Sequence, residues 1–69
     1  MSEHVYKVIE LYGSSTKGLQ DAIEQAVAKA GASVRSMRWF QMTEVRGHLD
    51  QGKIQHWQVG LKVGFTIED

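Results

Sequence analysis

At 69 residues with no Cys, the chain is sized for one domain, residues 1–69, and offers neither a disulfide nor a thiolate metal site. Eight basic residues balance eight acidic ones, which argues against a nucleic-acid binder with its usual basic footprint. A domain this small buries only roughly 60% of its unfolded surface, so association with further copies is the expected source of added stability.

The first element is expected at residues 4–13, "HVYKVIELYG", where β-branched and aromatic residues dominate. Its odd positions, Val5, Ile9 and Leu11, form the expected core face, and Gly13 ends the strand. In "SSTKG", Ser14, Ser15 and Thr16 are N-cap candidates. Leu19, Ala22, Ile23, Ala26, Val27 and Ala30 then fall on one stripe of an α-helix, with Gln20, Asp21, Glu24, Gln25 and Lys29 opposite. The stripe is rich in Ala, so a sheet can approach it closely. Gly31 sits where a left-handed C-cap is expected.

Residues 33–48 and 53–67 read as two long strands joined at "DQG". In the last one, Trp57, Val59, Leu61, Val63, Phe65 and Ile67 share a face, while His56, Gln58, Gly60, Lys62, Gly64 and Thr66 share the other. The order is β-α-β-β. A hairpin makes its strands antiparallel, and a helical crossover tends to return a parallel strand. The third strand therefore lies between the other two, giving an α+β fold: a three-stranded antiparallel sheet, order 1-3-2, partly wrapping one helix. A single helix leaves the far face of the sheet uncovered.

Trp39 and Phe40 are neighbours, so they point to opposite faces. A four-residue loop, 49–52, pairs His48 with Lys53, Glu44 with Trp57, Met42 with Val59 and Phe40 with Leu61. Val45 then lies opposite His56, Thr43 opposite Gln58, Gln41 opposite Gly60 and Trp39 opposite Lys62. Phe40, Met42 and Trp57 go with the helix and core; Trp39, Gln41, Thr43, Gln58 and Lys62 go to the uncovered face. A one-residue slip would exchange the faces and put Lys62 and His56 toward the helix. An exposed Trp there is either an interface residue or a stacking platform for a planar ligand. Gln58 can read such a ligand's polar edge, because its amide both donates and accepts, or it is simply a solvated strand position. Gly60 and Gly64 leave room for another backbone or a ligand, or merely accommodate twist.

Three stretches together, "VYKVIELYGSS", "WFQMTEVRGHL" and "WQVGLKVGFTIED", resemble the dodecin family over nearly the whole chain. The resemblance implies a small flavin-binding protein whose twelve copies form a hollow sphere, helices outside and sheets within. It implies FMN or riboflavin, or a related flavin such as FAD, bound in pairs at subunit contacts. Trp39 then corresponds to the stacking Trp and Gln58 to the residue that bonds the pyrimidine edge. Arg46, in "EVRGHL", helps hold the ribityl-phosphate side or lines the contact; otherwise it is a strand-end charge paired to Glu44 or Asp50. The register above sets Arg46 on the face opposite Trp39, so the strand must twist or bulge, or Arg46 must serve a neighbouring subunit. Many bacterial relatives carry Arg where this chain has Thr66, which removes a phosphate contact and leaves the preference between FMN and riboflavin open. Some relatives also bind coenzyme A, and no motif here decides that point.

The implied role is storage or buffering of flavin with quenching of its photochemistry, not turnover. No nucleophile–base pair or paired carboxylates are evident, and His48 and His56 fall on opposite faces in this register. His4, His48 and His56 do not have the spacing of a zinc site, so no metal is expected. The rival readings are an oligomeric interaction module without a ligand, Trp39 being an interface residue, and a small single-stranded RNA binder stacking bases on Trp39. "MSEHVYKVIELYG" lacks the basic leader and apolar run of a signal peptide, and no stretch approaches the ~20 apolar residues of a membrane helix. A cytoplasmic protein with no membrane or nucleic-acid partner is the expectation.

Overall fold

The computed structural model describes residues 4–67. Its elements are β1 (Tyr6–Ser15), α1 (Leu19–Gly31), β2 (Met37–Asp50) and β3 (Lys53–Thr66). They form one antiparallel sheet in the order β1-β3-β2, the topology expected from the element order. The first two strands begin and end two to four residues later than the apolar pattern predicted.

The hairpin turn is shorter than expected. Asp50 pairs with Lys53, leaving only Gln51 and Gly52 in the turn, with φ of 53° and 75°. Two successive positive φ values mark the tight turn whose twist matches that of its strands. Gly52 suits this geometry; Gln51 adopts it as a non-glycine residue.

The two ends of α1 also depart from the expected caps. Gly18 precedes the helix, and no side chain caps it. Ser15 instead ends β1, buried, with its hydroxyl donating to Asp21 Oδ2 at 2.6 Å and accepting from Lys17 N–H at 2.9 Å. It ties strand to helix rather than starting the helix. At the other end Gly31 is the last helical residue, and Ala32 closes the helix in the right-handed region. Ala32 and Ser33 N–H donate to the Lys29 and Ala30 carbonyls, tightening the exit. The positive φ falls later, at Ser36 (61°).

The core is narrow. Ala22, Ala26, Val59, Leu61 and Val63 are buried, and Leu11, Leu19, Ile23 and Val27 pack around the Ala22–Leu61 cluster. The slim Ala stripe is what lets the backbone of β1 come close. A Cβ on Gly13 would collide with the Ala22 carbonyl oxygen and lie 2.9 Å from Ala26 Cβ. Only glycine fits that crossing without moving the helix.

α1 rests on β1 and β3. Its 13 residues span about 20 Å, against about 47 Å for a 14-residue strand. The β2–β3 hairpin therefore overhangs, and the protein measures 55 × 20 × 14 Å. Phe40 and Met42 lie on the helix side as expected, yet remain 51% and 45% exposed because α1 does not cover β2. Val45, Leu49 and Ile54 extend this bare apolar strip. Trp57 is half-buried on the same side, and Val5 is exposed.

Candidate functional site: the open face of the sheet

The face turned away from α1 collects the polar and aromatic residues. In its first half the register is shifted by two residues from the expected one, which preserves the faces. Trp39 pairs with Gly64 and Gln41 with Lys62, while Phe40 and Met42 pair with Val63 and Leu61. Trp39 is thus on the open face and Phe40 on the helix side.

The second half obeys a different register, because a bulge between Met42 and Glu44 leaves Thr43 without a partner. One extra residue flips every side chain beyond it. Glu44 pairs with Gly60, Arg46 with Gln58 and His48 with His56, all on the open face, while Val45 turns to Val59 on the helix side. This corrects the expected pairings of Glu44 with Trp57 and Val45 with His56. It also brings Arg46 onto the face of Trp39 through the strand's own bulge. The His48 and His56 rings, expected on opposite faces, sit with centroids 6.2 Å apart.

Two aromatic seats result. The Trp39 indole lies over Gly64: a Cβ there would collide with Cε2 and Cζ2 and stand 2.8 Å from Cδ2. Tyr6 meets the indole edge-to-face, centroids 6.3 Å apart at 63°. The outer side of the indole is open, and Trp39 is 41% exposed. Four residues along β3, Tyr12 and Thr43 fill the space above Gly60. Both glycines therefore admit this chain's own side chains.

Around the second seat runs a chain of polar contacts. Tyr12 Oη donates to Glu44 Oε1 at 2.9 Å. Arg46 Nη1 meets Glu44 Oε2 at 3.2 Å, and Arg46 Nε donates to Gln58 Oε1 at 2.9 Å. The guanidinium carbon stands 5.2 Å from the centre of the Tyr12 ring, within cation–π range. The hydrogen bond to the Glu44 carboxylate, reinforced by its charge, raises the Tyr12 pKa above the ordinary phenol value. Arg46 does pair with Glu44, as a strand-end charge would. In addition it occupies the carbonyl oxygen of Gln58, so in this arrangement the amide NH2 is the end left to meet a ligand.

Trp39 and Gln58 share a face but do not meet. Gly64, beneath Trp39, and Gln58 are six residues apart on β3, about 20 Å. Tyr6, Tyr12 and Glu44 were not singled out from the sequence. The even positions of β1 carried a signal, since Tyr6 and Tyr12 share a parity opposite to the core positions Ile9 and Leu11. Glu44 had none, because its face depends on the bulge. Among the described residues no group of three or more His, Cys, Asp or Glu is placed to hold a metal ion, and no helix is long and apolar enough to cross a membrane.

Comparison with known proteins agrees with this architecture. The family model described as Dodecin matches residues 5–68. A curated dodecin of Thermus thermophilus is 42% identical over 65 residues, 94% of each chain. The solved dodecin of Streptomyces coelicolor superposes with a TM-score of 0.93 at 45% identity, covering 100% of this chain and 99% of that one. The solved dodecin of Streptomyces davaonensis gives 0.92 at 40% identity, covering 99% and 100%. A Mycobacterium tuberculosis structure described as a calcium dodecin with a novel calcium-binding site gives 0.80 at 34% identity, covering 93% and 91%. With its three-stranded 1-3-2 sheet, single helix and end-to-end match, this chain belongs to the dodecin family.

Proposed function

We propose that this protein binds a flavin, FMN or riboflavin, in an assembly of twelve copies, and that it stores and shields the ligand rather than converting a substrate. The observation that carries this reading is the Trp39 indole, seated over Gly64 on an uncovered sheet face and 41% exposed. A planar π-system is the ligand that such a surface fits. Gln58, held through its carbonyl oxygen by Arg46, offers amide donors to a ring carbonyl. An indole in van der Waals contact with an excited isoalloxazine can donate an electron and recover it quickly, which quenches fluorescence and limits photochemical damage.

The separation of about 20 Å between the Trp39 seat and Gln58 exceeds the reach of one ring system, so one ligand draws these residues from two copies. The chain also has a reason to assemble. Phe40, Met42, Val45, Leu49 and Ile54 form an exposed apolar strip on the helix side, and such strips are ordinarily covered by a partner. That strip lies on the face away from Trp39. The strip gives the chain a reason to associate that does not depend on Trp39, which favours the flavin reading over one in which Trp39 is merely an interface residue.

Titration of riboflavin and FMN with the protein tests this. Flavin fluorescence is quenched to a stoichiometric endpoint, native mass measurement finds the assembly with flavin bound, and Trp39→Ala abolishes most of the quenching while the assembly persists. Unchanged flavin affinity in Trp39→Ala overturns the site assignment.

A further inference from the structure

Toward the hairpin turn, beyond both aromatic seats, the open face carries a pair of imidazoles. Their spacing along the chain does not read as a metal site, yet the ladder sets His48 directly opposite His56. The bulge at Thr43 is what turns His48 to the face where His56 already points. Opposed residues of paired strands have Cβ atoms about 4.5–5.5 Å apart, close enough for two rings to reach one ion. The ring centroids stand 6.2 Å apart with their planes tilted by 59°, so the rings are not stacked on each other. Two imidazoles sharing a tetrahedral metal, with metal–nitrogen bonds of about 2.1 Å, have centroids about 5 Å apart. Small side-chain rotations close that difference, and there is room for them, since His48 is exposed and His56 half-buried. Among the described residues no hydrogen bond or ion pair occupies either ring.

We infer that His48 and His56 form a two-histidine chelate for a divalent transition metal of the zinc–copper class, each ring giving one nitrogen lone pair. The inference is independent of the flavin reading. Neutral imidazole suits such ions, whereas Ca²⁺ and Mg²⁺ take oxygen ligands. The described residues place no third His, Cys, Asp or Glu to complete the set, so water fills the remaining positions and the ion stays exchangeable. The charges on either side of the pair offset one another. Arg46, toward the centre of the sheet, is paired with Glu44, and Asp50 stands opposite Lys53 toward the turn. Half the ligand set of a structural zinc site scales to a Kd of about 1–200 µM.

Calorimetric titration of the full chain with Zn²⁺ alone and with Cu²⁺ alone, in a buffer that does not bind metals, tests the inference. One ion per chain should bind, Cu²⁺ more tightly than Zn²⁺, and excess Ca²⁺ or Mg²⁺ should not displace it. His48→Gln and His56→Gln should each weaken binding by about tenfold or more, since even the loss of a group that merely supports a ligand costs about 10–100-fold. Both positions lie at the surface, so these variants should fold as the unmodified protein does, with an unchanged circular dichroism spectrum. His4→Gln, the control for an isolated imidazole, should leave the affinity within about twofold. Electron paramagnetic resonance of the Cu²⁺ form should show coupling to two imidazole nitrogens, falling to one in either single variant. No binding up to about 1 mM metal, affinity indifferent to His48→Gln or His56→Gln, or one ion per two chains overturns the chelate and leaves the flavin reading standing.

Discussion

Gly64→Ala separates the fold from the site. The added Cβ would occupy the position of Trp39 Cε2 and Cζ2, so the indole must leave its seat. It is free to do so, since Trp39 is already 41% exposed and its outer side is open. Swinging out re-exposes roughly 60–100 Å² of ring, costing about 1.5–2.5 kcal/mol at ~25 cal/mol/Å². Reduced freedom of the unfolded chain offsets about 0.4–1 kcal/mol of that, for a net loss of about 1–2 kcal/mol. Gly13→Ala has no such escape. Its Cβ meets the Ala22 carbonyl and Ala26 Cβ, which belong to the helix itself, and overpacking of this kind costs about 1–3 kcal/mol, occasionally more. Urea unfolding at fixed protein concentration should therefore rank Gly13→Ala as the more damaging change. Flavin titration should give the reverse order, with quenching lost in Gly64→Ala and kept in folded Gly13→Ala. Wild-type quenching in Gly64→Ala would refute the platform, and equal destabilisation by the two changes would refute the claim that the ring can swing free.

Leu61→Ala, at the centre of the core and 0% exposed, should cost about 3–5 kcal/mol in the same unfolding assay. Glu44→Gln should bring the Tyr12 phenolate, followed by ultraviolet absorbance, in at lower pH, because the Glu44 carboxylate is the main cause of its raised pKa. Asp21 has its pKa lowered chiefly by the Ser15 hydroxyl and next by the Gln25 amide. Its contribution is therefore present above the ordinary carboxylate value of about 3.9 and is lost as pH falls through the folded-state pKa. Acid unfolding curves of Ser15→Ala should show a smaller loss of stability over that window than the unmodified protein. An unchanged acid limb would mean that the Ser15–Asp21 bond does not persist in solution.

The elements were readable where one physical constraint acted along a whole segment. The Ala-rich stripe of α1 and the alternation of β3 each follow a single period, and both formed as the pattern indicated. The face of Trp39 was readable for the same reason, since a register error of two residues leaves parity untouched. What could not be read was a change of phase within a strand. Thr43 and Glu44 are both polar, and nothing in "QMTEV" marks which of them leaves the ladder. The faces of Glu44, Val45 and Arg46 hung on that one residue. The helix caps misled because Ser15 and Gly31 have strong local preferences that tertiary contacts overrode. Ser15 serves the strand–helix junction, and Gly31 stays helical where Met37 Cε would lie 3.1 Å from an added Cβ. Phe40 and Met42 were placed on the correct side, but their exposure depends on how far α1 extends across the sheet, which periodicity does not encode.

The unpaired Thr43 divides β2 into two zones with different rules of substitution. Between Arg38 and Thr43, even-numbered positions face the helix side and are apolar, as Phe40 and Met42 are; beyond Thr43 that side passes to odd positions, as at Val45 and Leu49. Saturation mutagenesis from Trp39 to His48 should show tolerance changing phase at residue 43. For anyone redesigning the binding face, insertions and deletions on either side of residue 43 are the hazardous edits, since they rewire both faces at once, whereas Gln41, Glu44 and Arg46 can be varied as a set without disturbing the packed side. The internal change of phase keeps Trp39, before the bulge, and Glu44 and Arg46, after it, on one face, so that a single strand carries both ends of the site.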